Sequence, residues 1–151
     1  MRLYFNTSAL NRPLDNLASE RVRIEAEAVV ALLAAVEDGI ADWIGSEYLD
    51  FEVGQDPDHE RVRRMNSLLG LVRTRVPASD AVIARARALE RRGLRGLDAF
   101  HVASAEAGAA DLLVTTDDRM LRRAGRAAPD LRVRLVTPPE AVSLLPRRPT
   151  R

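Results

Sequence analysis

The sequence predicts an α/β fold. Short apolar runs alternate with stretches of three-and-four helical spacing, the pattern of strands laid between covering helices. At 151 residues, 46% hydrophobic and 30% charged, the chain has the composition of one globular domain and enough apolar surface for a core. That composition argues against intrinsic disorder. Cysteine is absent, which excludes a disulfide scaffold, a zinc knuckle and thiol catalysis.

The elements follow in order. Leu3-Tyr4-Phe5 is a short apolar run closed by Asn6-Thr7-Ser8, a first buried strand. Val22, Ala26, Val29, Leu33 and Val36 recur at helical intervals up to Gly39. Residues 40–44 form a second strand. Ser46 stands where an N-cap belongs, with Glu47 and Asp50 close behind it. Gln55-Asp56-Pro57 breaks that helix, and Asp58 caps another through Val62, Met65 and Leu69. Val76 marks a strand edge, and Ser79 or Asp80 caps a helix that stops at Gly93. A helix from Leu97 to Gly108 leads to a clear strand, Leu112-Leu113-Val114, ending at Thr115-Thr116-Asp117. A short helix surrounds Met120 and Leu121. Residues 132–136 alternate polar and apolar as a half-exposed edge strand does, and Pro138-Pro139 opens a final helical turn. The expected organisation is a single domain over residues 1–145 and a basic tail over 146–151.

All 23 basic residues are Arg and none is Lys, for which a coding bias is explanation enough. Their placement says more. Residues 1–60 hold 4 Arg against 13 acids, whereas residues 61–151 hold 19 Arg against 9. Such asymmetry suits a polyanion-binding face beside an acidic site, and equally a solvated amphipathic surface. No apolar run approaches the ~20 residues that span a bilayer. The N-terminus turns polar too early for a signal peptide, so the expected location is the cytoplasm and no membrane association is expected.

Ligands of open α/β sheets bind beyond the carboxyl ends of the strands. That rule selects Asn6 and Ser8 after the first strand, Asp117 and Asp118 after the strand at 112–114, Glu52 in the helix after the second strand, and Asp98 at a helix start. Acids gathered at one sheet end raise each other's pKa unless a cation neutralises them. Oxygen donors without Cys or paired His favour Mg²⁺ or Mn²⁺. Each residue also has a structural explanation. Asp98 suits a helix dipole, Asp117 an N-cap, and a lone Glu52 a wet surface. His101, on the helical face of Asp98, is expected to pack or hydrogen-bond beside the site rather than react. Trp43 and Phe100 read as core, and Arg12 either grips phosphate or is solvated.

Four blocks carry a family resemblance. Phe5-Asn6-Thr7-Ser8-Ala9-Leu10 resembles the opening strand and turn of PIN-domain proteins, and Ser46-Glu47-Tyr48-Leu49-Asp50-Phe51-Glu52 resembles their second block. Leu97-Asp98-Ala99-Phe100-His101-Val102-Ala103 is similar to the third, and Leu113-Val114-Thr115-Thr116-Asp117 to the fourth. Asn11-Arg12-Pro13 with Asp15 is similar to stand-alone PIN proteins related to VapC-type toxins of toxin–antitoxin pairs. The resemblance implies a three-layer α/β/α sandwich around a central, mostly parallel sheet. It implies a metal-dependent endoribonuclease acting on single-stranded RNA, with Mg²⁺ or Mn²⁺ held by Asn6, Glu52, Asp98 and Asp117. Ser8, Thr115, Asp118 and Arg12 are the supporting residues, and arginines of the basic half would contact phosphates. A homodimer and a small antitoxin that inserts a basic residue among the acids are the implied partners.

The chain departs from the pattern at one position. Asn6 stands where the family has its first acid. An amide oxygen still coordinates a hard cation, but the full negative charge is gone. Asp118 and Asp15 are the acids considered for the missing charge. The alternative function is a catalytically degenerate PIN-like module that binds RNA or a protein partner. A receiver-like phosphoacceptor domain ranks last, because it needs an Asp where Asn6 sits.

Overall fold

The computed structural model describes residues 1–147. Five strands form one wholly parallel sheet: β1 (Arg2–Phe5), β2 (Asp42–Ser46), β3 (Thr74–Val76), β4 (Leu112–Val114) and β5 (Arg134–Val136), in spatial order β3-β2-β1-β4-β5. The expected parallel α/β sandwich is therefore present. Of the expected basic tail, residues 148–151 lie outside the described residues.

Ten further elements connect the strands: α1 (Thr7–Asn11), a 3₁₀ turn (Arg12–Leu14), α2 (Glu20–Glu37), α3 (Glu47–Gly54), α4 (His59–Leu69), α5 (Asp80–Arg91), α6 (Leu97–Ala107), α7 (Asp118–Ala127), a second 3₁₀ turn (Ala128–Asp130) and α8 (Pro138–Leu144). Parallel strands need crossovers, and helices supply them on both faces, so β1 and β4 are buried throughout or nearly so. Tyr4, Phe5, Trp43, Ile44 and Leu113 are fully buried, each such side chain contributing about 1.5–3 kcal/mol through apolar burial. Trp43 meets Phe5 edge-on, with ring centroids 5.3 Å apart. Helix α6 lies close on the sheet: a Cβ at Gly108 would overlap Ile44, so only glycine lets it approach there. No helix among the described residues is long and apolar enough to cross a membrane.

Two strand boundaries differ from expectation, each because a backbone donor is taken elsewhere. The second strand begins at Asp42, not Ile40. Gly39 adopts φ +74°, and the Ile40 and Ala41 N–H groups turn back to the Ala35 carbonyl at 2.9 and 3.3 Å. The last strand begins at Arg134 rather than Arg132, whose N–H donates to Glu106 Oε1 at 3.0 Å. The short helix expected around Met120 and Leu121 is present as α7, ten residues long.

Candidate active site at the carboxyl end of the sheet

Adjacent strands β2, β1 and β4 all end at one edge, and the chain leaves each into a capped helix. Asn6 caps α1, Ser46 caps α3 and Asp117 caps α7, each side chain accepting backbone N–H groups that a helix start leaves unpaired. Glu52 stands in α3, and Asp98 in the first turn of α6. Gly96, with φ +52°, makes the sharp entry to α6 that sets Asp98 there.

One wall of the site is neutral. Asn6 is 5% exposed, and its Oδ1 accepts from Ser8 Oγ (2.8 Å) and the Ala9 N–H (3.2 Å). Because the Ala9 N–H can only donate, the amide orientation is fixed. Nδ2 therefore donates to Thr115 Oγ1 at 2.7 Å and toward Met120 Sδ at 3.4 Å. Thr115 Oγ1 also accepts the Asp117 N–H (3.1 Å), and Ser8 Oγ accepts the Thr116 N–H (3.2 Å). Asn6, Ser8 and Thr115 thus form a nearly saturated network across the β1–β4 seam.

The opposite wall is charged. Glu52 Oε2 lies 3.0 Å from His101 Nε2, and His101 Nδ1 lies 2.6 Å from the Tyr4 hydroxyl. The Tyr4 hydroxyl in turn lies 2.6 Å from Ser46 Oγ, which accepts the Leu49 N–H. Nε2 facing a carboxylate carries its hydrogen, so in the neutral ring Nδ1 accepts from Tyr4. Burial raises the Glu52 pKa, but the His101 hydrogen bond and charge, with the neighbouring Thr7 hydroxyl, outweigh it and hold the acid below its ordinary range. Asp98 behaves oppositely. Burial first, then the charges of Asp117 and Glu52, push it above the ordinary range, against a pull from His101 and Arg123. The Tyr4 phenol is pushed up by burial.

Glu52, Asp98 and Asp117 therefore share one electrostatic neighbourhood although they come from three helices. Among the described residues, no three His, Asp or Glu side chains are disposed as a closed metal-ligand group. The donors are nonetheless all oxygen, the class Mg²⁺ and Mn²⁺ prefer, and the Asp98 carboxylate, disfavoured first by burial and then by Asp117 and Glu52, is a group whose charged form a cation would favour.

The supporting residues divide. Ser8 and Thr115 belong to the neutral wall. Asp118 is exposed and bound bidentately by Arg21, at 2.7 and 2.9 Å, which lowers its pKa. Arg12 pairs with buried Glu25 and with Asp15, both at about 3 Å, and Asp15 also takes Arg61. These pairs tie the turn after α1 to α2 and α4, so Asp15 and Asp118 each already face arginine. Trp43 is core, as expected. Phe100 packs on Tyr48 with Arg87 over its ring, at centroid distances of 4.6 and 5.7 Å.

Sequence reasoning missed the Tyr4–His101–Glu52 chain and the Arg12–Glu25–Arg21 cluster. Signals for both exist. His101 follows Asp98 by three on one helical face, and Tyr4 alternates with Leu3 and Phe5 toward the opposite sheet face. Arg21 and Glu25 stand at i, i+4.

Comparison with known proteins agrees with this architecture. A chain of the crystal structure of VapBC2 from Rickettsia felis bound to a promoter DNA fragment superposes with a TM-score of 0.56 at 14% identity, over 91% of this chain and 98% of that one. A chain of VapBC-1 from nontypeable Haemophilus influenzae superposes with a TM-score of 0.56 at 17% identity, over 92% and 99%. No curated protein sequence matches. The family model described as the PIN domain matches residues 5–126, which takes in all four strand-end and helix-start blocks of the site, and the chain belongs to that family.

Proposed function

We propose that the protein is an endoribonuclease of the toxin–antitoxin type, acting on single-stranded RNA with Mg²⁺ or Mn²⁺. What supports this is the geometry: β2, β1 and β4 end at one sheet edge, Asn6, Glu52 and Asp117 follow those ends, and Asp98 opens α6 beside them. In this proposal Glu52, Asp98 and Asp117 hold the cation, with the Asn6 oxygen as a neutral donor. A divalent cation there supplies charge neutralisation at the scissile phosphate and a lowered pKa for a coordinated water. His101 fixes the direction of the Glu52 carboxylate, and Tyr4 and Ser46 fix His101. Ser8 and Thr115 hold Asn6 in place.

The test is cleavage of single-stranded RNA with Mg²⁺ or Mn²⁺ by the protein and by its Asn6→Asp variant. Metal-dependent cleavage, stronger in the variant, is expected; no cleavage by either form with either metal refutes the nuclease. The saturated Asn6–Ser8–Thr115 network favours a second reading, a PIN module that binds RNA or a protein without cutting. RNA binding that withstands EDTA, with no cleavage by either form, is its signature.

Two assembly states belong to the same proposal, a homodimer and a complex with a small antitoxin. A monomeric mass by light scattering at micromolar concentration refutes the homodimer. Inhibition of cleavage by an arginine-bearing antitoxin peptide is the corresponding check for the complex.

A further inference from the structure

Several arginines elsewhere are answered by acids: Arg63 and Arg64 by Glu60, Arg73 by Asp42, Arg75 by Asp50, Arg92 by Asp130. Beside the acidic site they are not. Arg119, Arg122, Arg123 and Arg126 stand at i, i+3, i+4 and i+7 of α7, one stripe flanking the buried Met120, Ala124 and Ala127. Arg95, in the turn between α5 and α6, joins them around a cavity of about 260 Å³ lined by these five arginines. Among the described residues none of the five makes a side-chain hydrogen bond or an ion pair. Arg123 acts on Asp98, and Arg122 on Asp118, only through longer-range attraction.

This arrangement costs the free protein energy. Like charges at i, i+3 or i, i+4 destabilise a helix, and the stripe holds four such pairs. A polyanion removes that repulsion. The stripe runs about 10 Å along the helix axis, longer than one isolated anion needs. It begins two residues after Asp117, and Arg123 lies within electrostatic reach of Asp98.

We infer that Arg95, Arg119, Arg122, Arg123 and Arg126 form a binding track for consecutive phosphates of single-stranded RNA, leading the strand over Asp98 and Asp117. The inference rests on the RNA-directed reading above. It adds which face of the molecule carries the strand and from which side the strand reaches the acids. Guanidinium groups suit this task because their planar fork pairs with phosphate oxygens two at a time.

The test is binding of a fluorescent oligouridylate in EDTA, followed by anisotropy across a salt series, so that neither metal nor activity enters. The variant Arg119→Gln/Arg122→Gln/Arg126→Gln changes exposed side chains only. It is expected to weaken binding at least tenfold at low salt and to flatten the log K against log[salt] slope by about 2, at ~0.7 for each single-strand phosphate no longer neutralised. Arg63→Gln/Arg64→Gln/Arg73→Gln removes the same charge from another face and is expected to leave the slope unchanged; the triple Arg→Lys form of the stripe is expected to restore it. Equal slopes for the stripe variant and the unchanged protein overturn the inference, as does tighter binding of poly-glutamate than of oligouridylate. Stripe-dependent binding without cleavage by any form, Asn6→Asp included, leaves the track standing and defeats the nuclease. Cleavage with stripe-independent binding does the reverse.

Discussion

The two walls of the site solve opposite problems. On the β1–β4 side, Asn6, Ser8 and Thr115 are buried or nearly so and spend their polar atoms on one another and on local N–H groups. On the α3–α6 side, Glu52 and Asp98 are partly exposed and charged, one stabilised by His101 and the other crowded by its neighbours. The first wall pairs its polar atoms internally, whereas on the second the ionised form of Asp98 is disfavoured by burial and then by Asp117 and Glu52. A site that keeps one wall satisfied and the other frustrated has its affinity set by the frustrated wall.

The largest way to disturb this division is Asn6→Asp. In EDTA the new carboxylate loses the donor that Thr115 Oγ1 accepts and adds a fourth negative charge, lowering unfolding stability by about 1–3 kcal/mol. Mn²⁺ is expected to return that loss, and metal-dependent RNA cleavage to rise by about 10²-fold or more. Thermal melts with and without Mn²⁺, beside the cleavage rates, check both effects.

Tyr4→Phe attacks the other wall from behind. It leaves His101 Nδ1 and Ser46 Oγ without their shared partner inside the core, at an expected cost of about 1–3 kcal/mol in denaturant unfolding. With His101 less constrained, half-saturation by Mn²⁺ is expected at higher concentration.

Asp98→Asn is expected to stabilise, by up to about 1 kcal/mol once solvent screening of this partly exposed group is included. That corresponds to roughly 2–4 °C in Tm for a chain of this size. The sign follows from the raised pKa. Ionised Asp98 costs stability above its folded pKa, and the cost fades as pH falls through that value into the ordinary carboxylate range, so the gain at neutral pH shrinks in acid. Glu52 has the contrary sign. Its lowered pKa contributes stability at neutral pH that is lost as pH falls from the ordinary range through the folded pKa. Urea melts of both forms from neutral pH to pH 4 separate the two.

Arg21→Ala is the smallest change, since its bidentate pair with Asp118 sits in water and Glu25, its other partner, keeps Arg12. A small loss in Tm is expected, decreasing with added salt.

How far the sequence foretold these walls depended on whether the signal was local. Caps were legible because a helix start is a local chemical demand: Ser46, Asp58, Ser79 and Asp117 all cap the helices that follow them. The five-residue α1 escaped notice because one turn is too short for a period to show. In α7 the spacing of Met120, Ala124 and Ala127 is masked by small residues and intervening arginines, so the helix was legible but its full length was not. Asn6, Glu52, Asp98 and Asp117 were identifiable from strand ends and helix starts together with the family pattern. The hydrogen bonds that assign them to different walls were not, since Tyr4 and His101 lie 97 positions apart and only the folded sheet joins them.

The central place of β1 also bears on how the molecule is made. Its partners lie far along the chain, Asp42 and Trp43 on one flank and Leu112 to Val114 on the other, so β1 is without its second neighbour until that strand has been made. Nascent chains shorter than that possess Asn6 without Thr115 or Asp117 and cannot enclose the cleft. Closure of this end of the sheet, on this topology, waits for both partners of β1, and long-range parallel pairing makes that step slow.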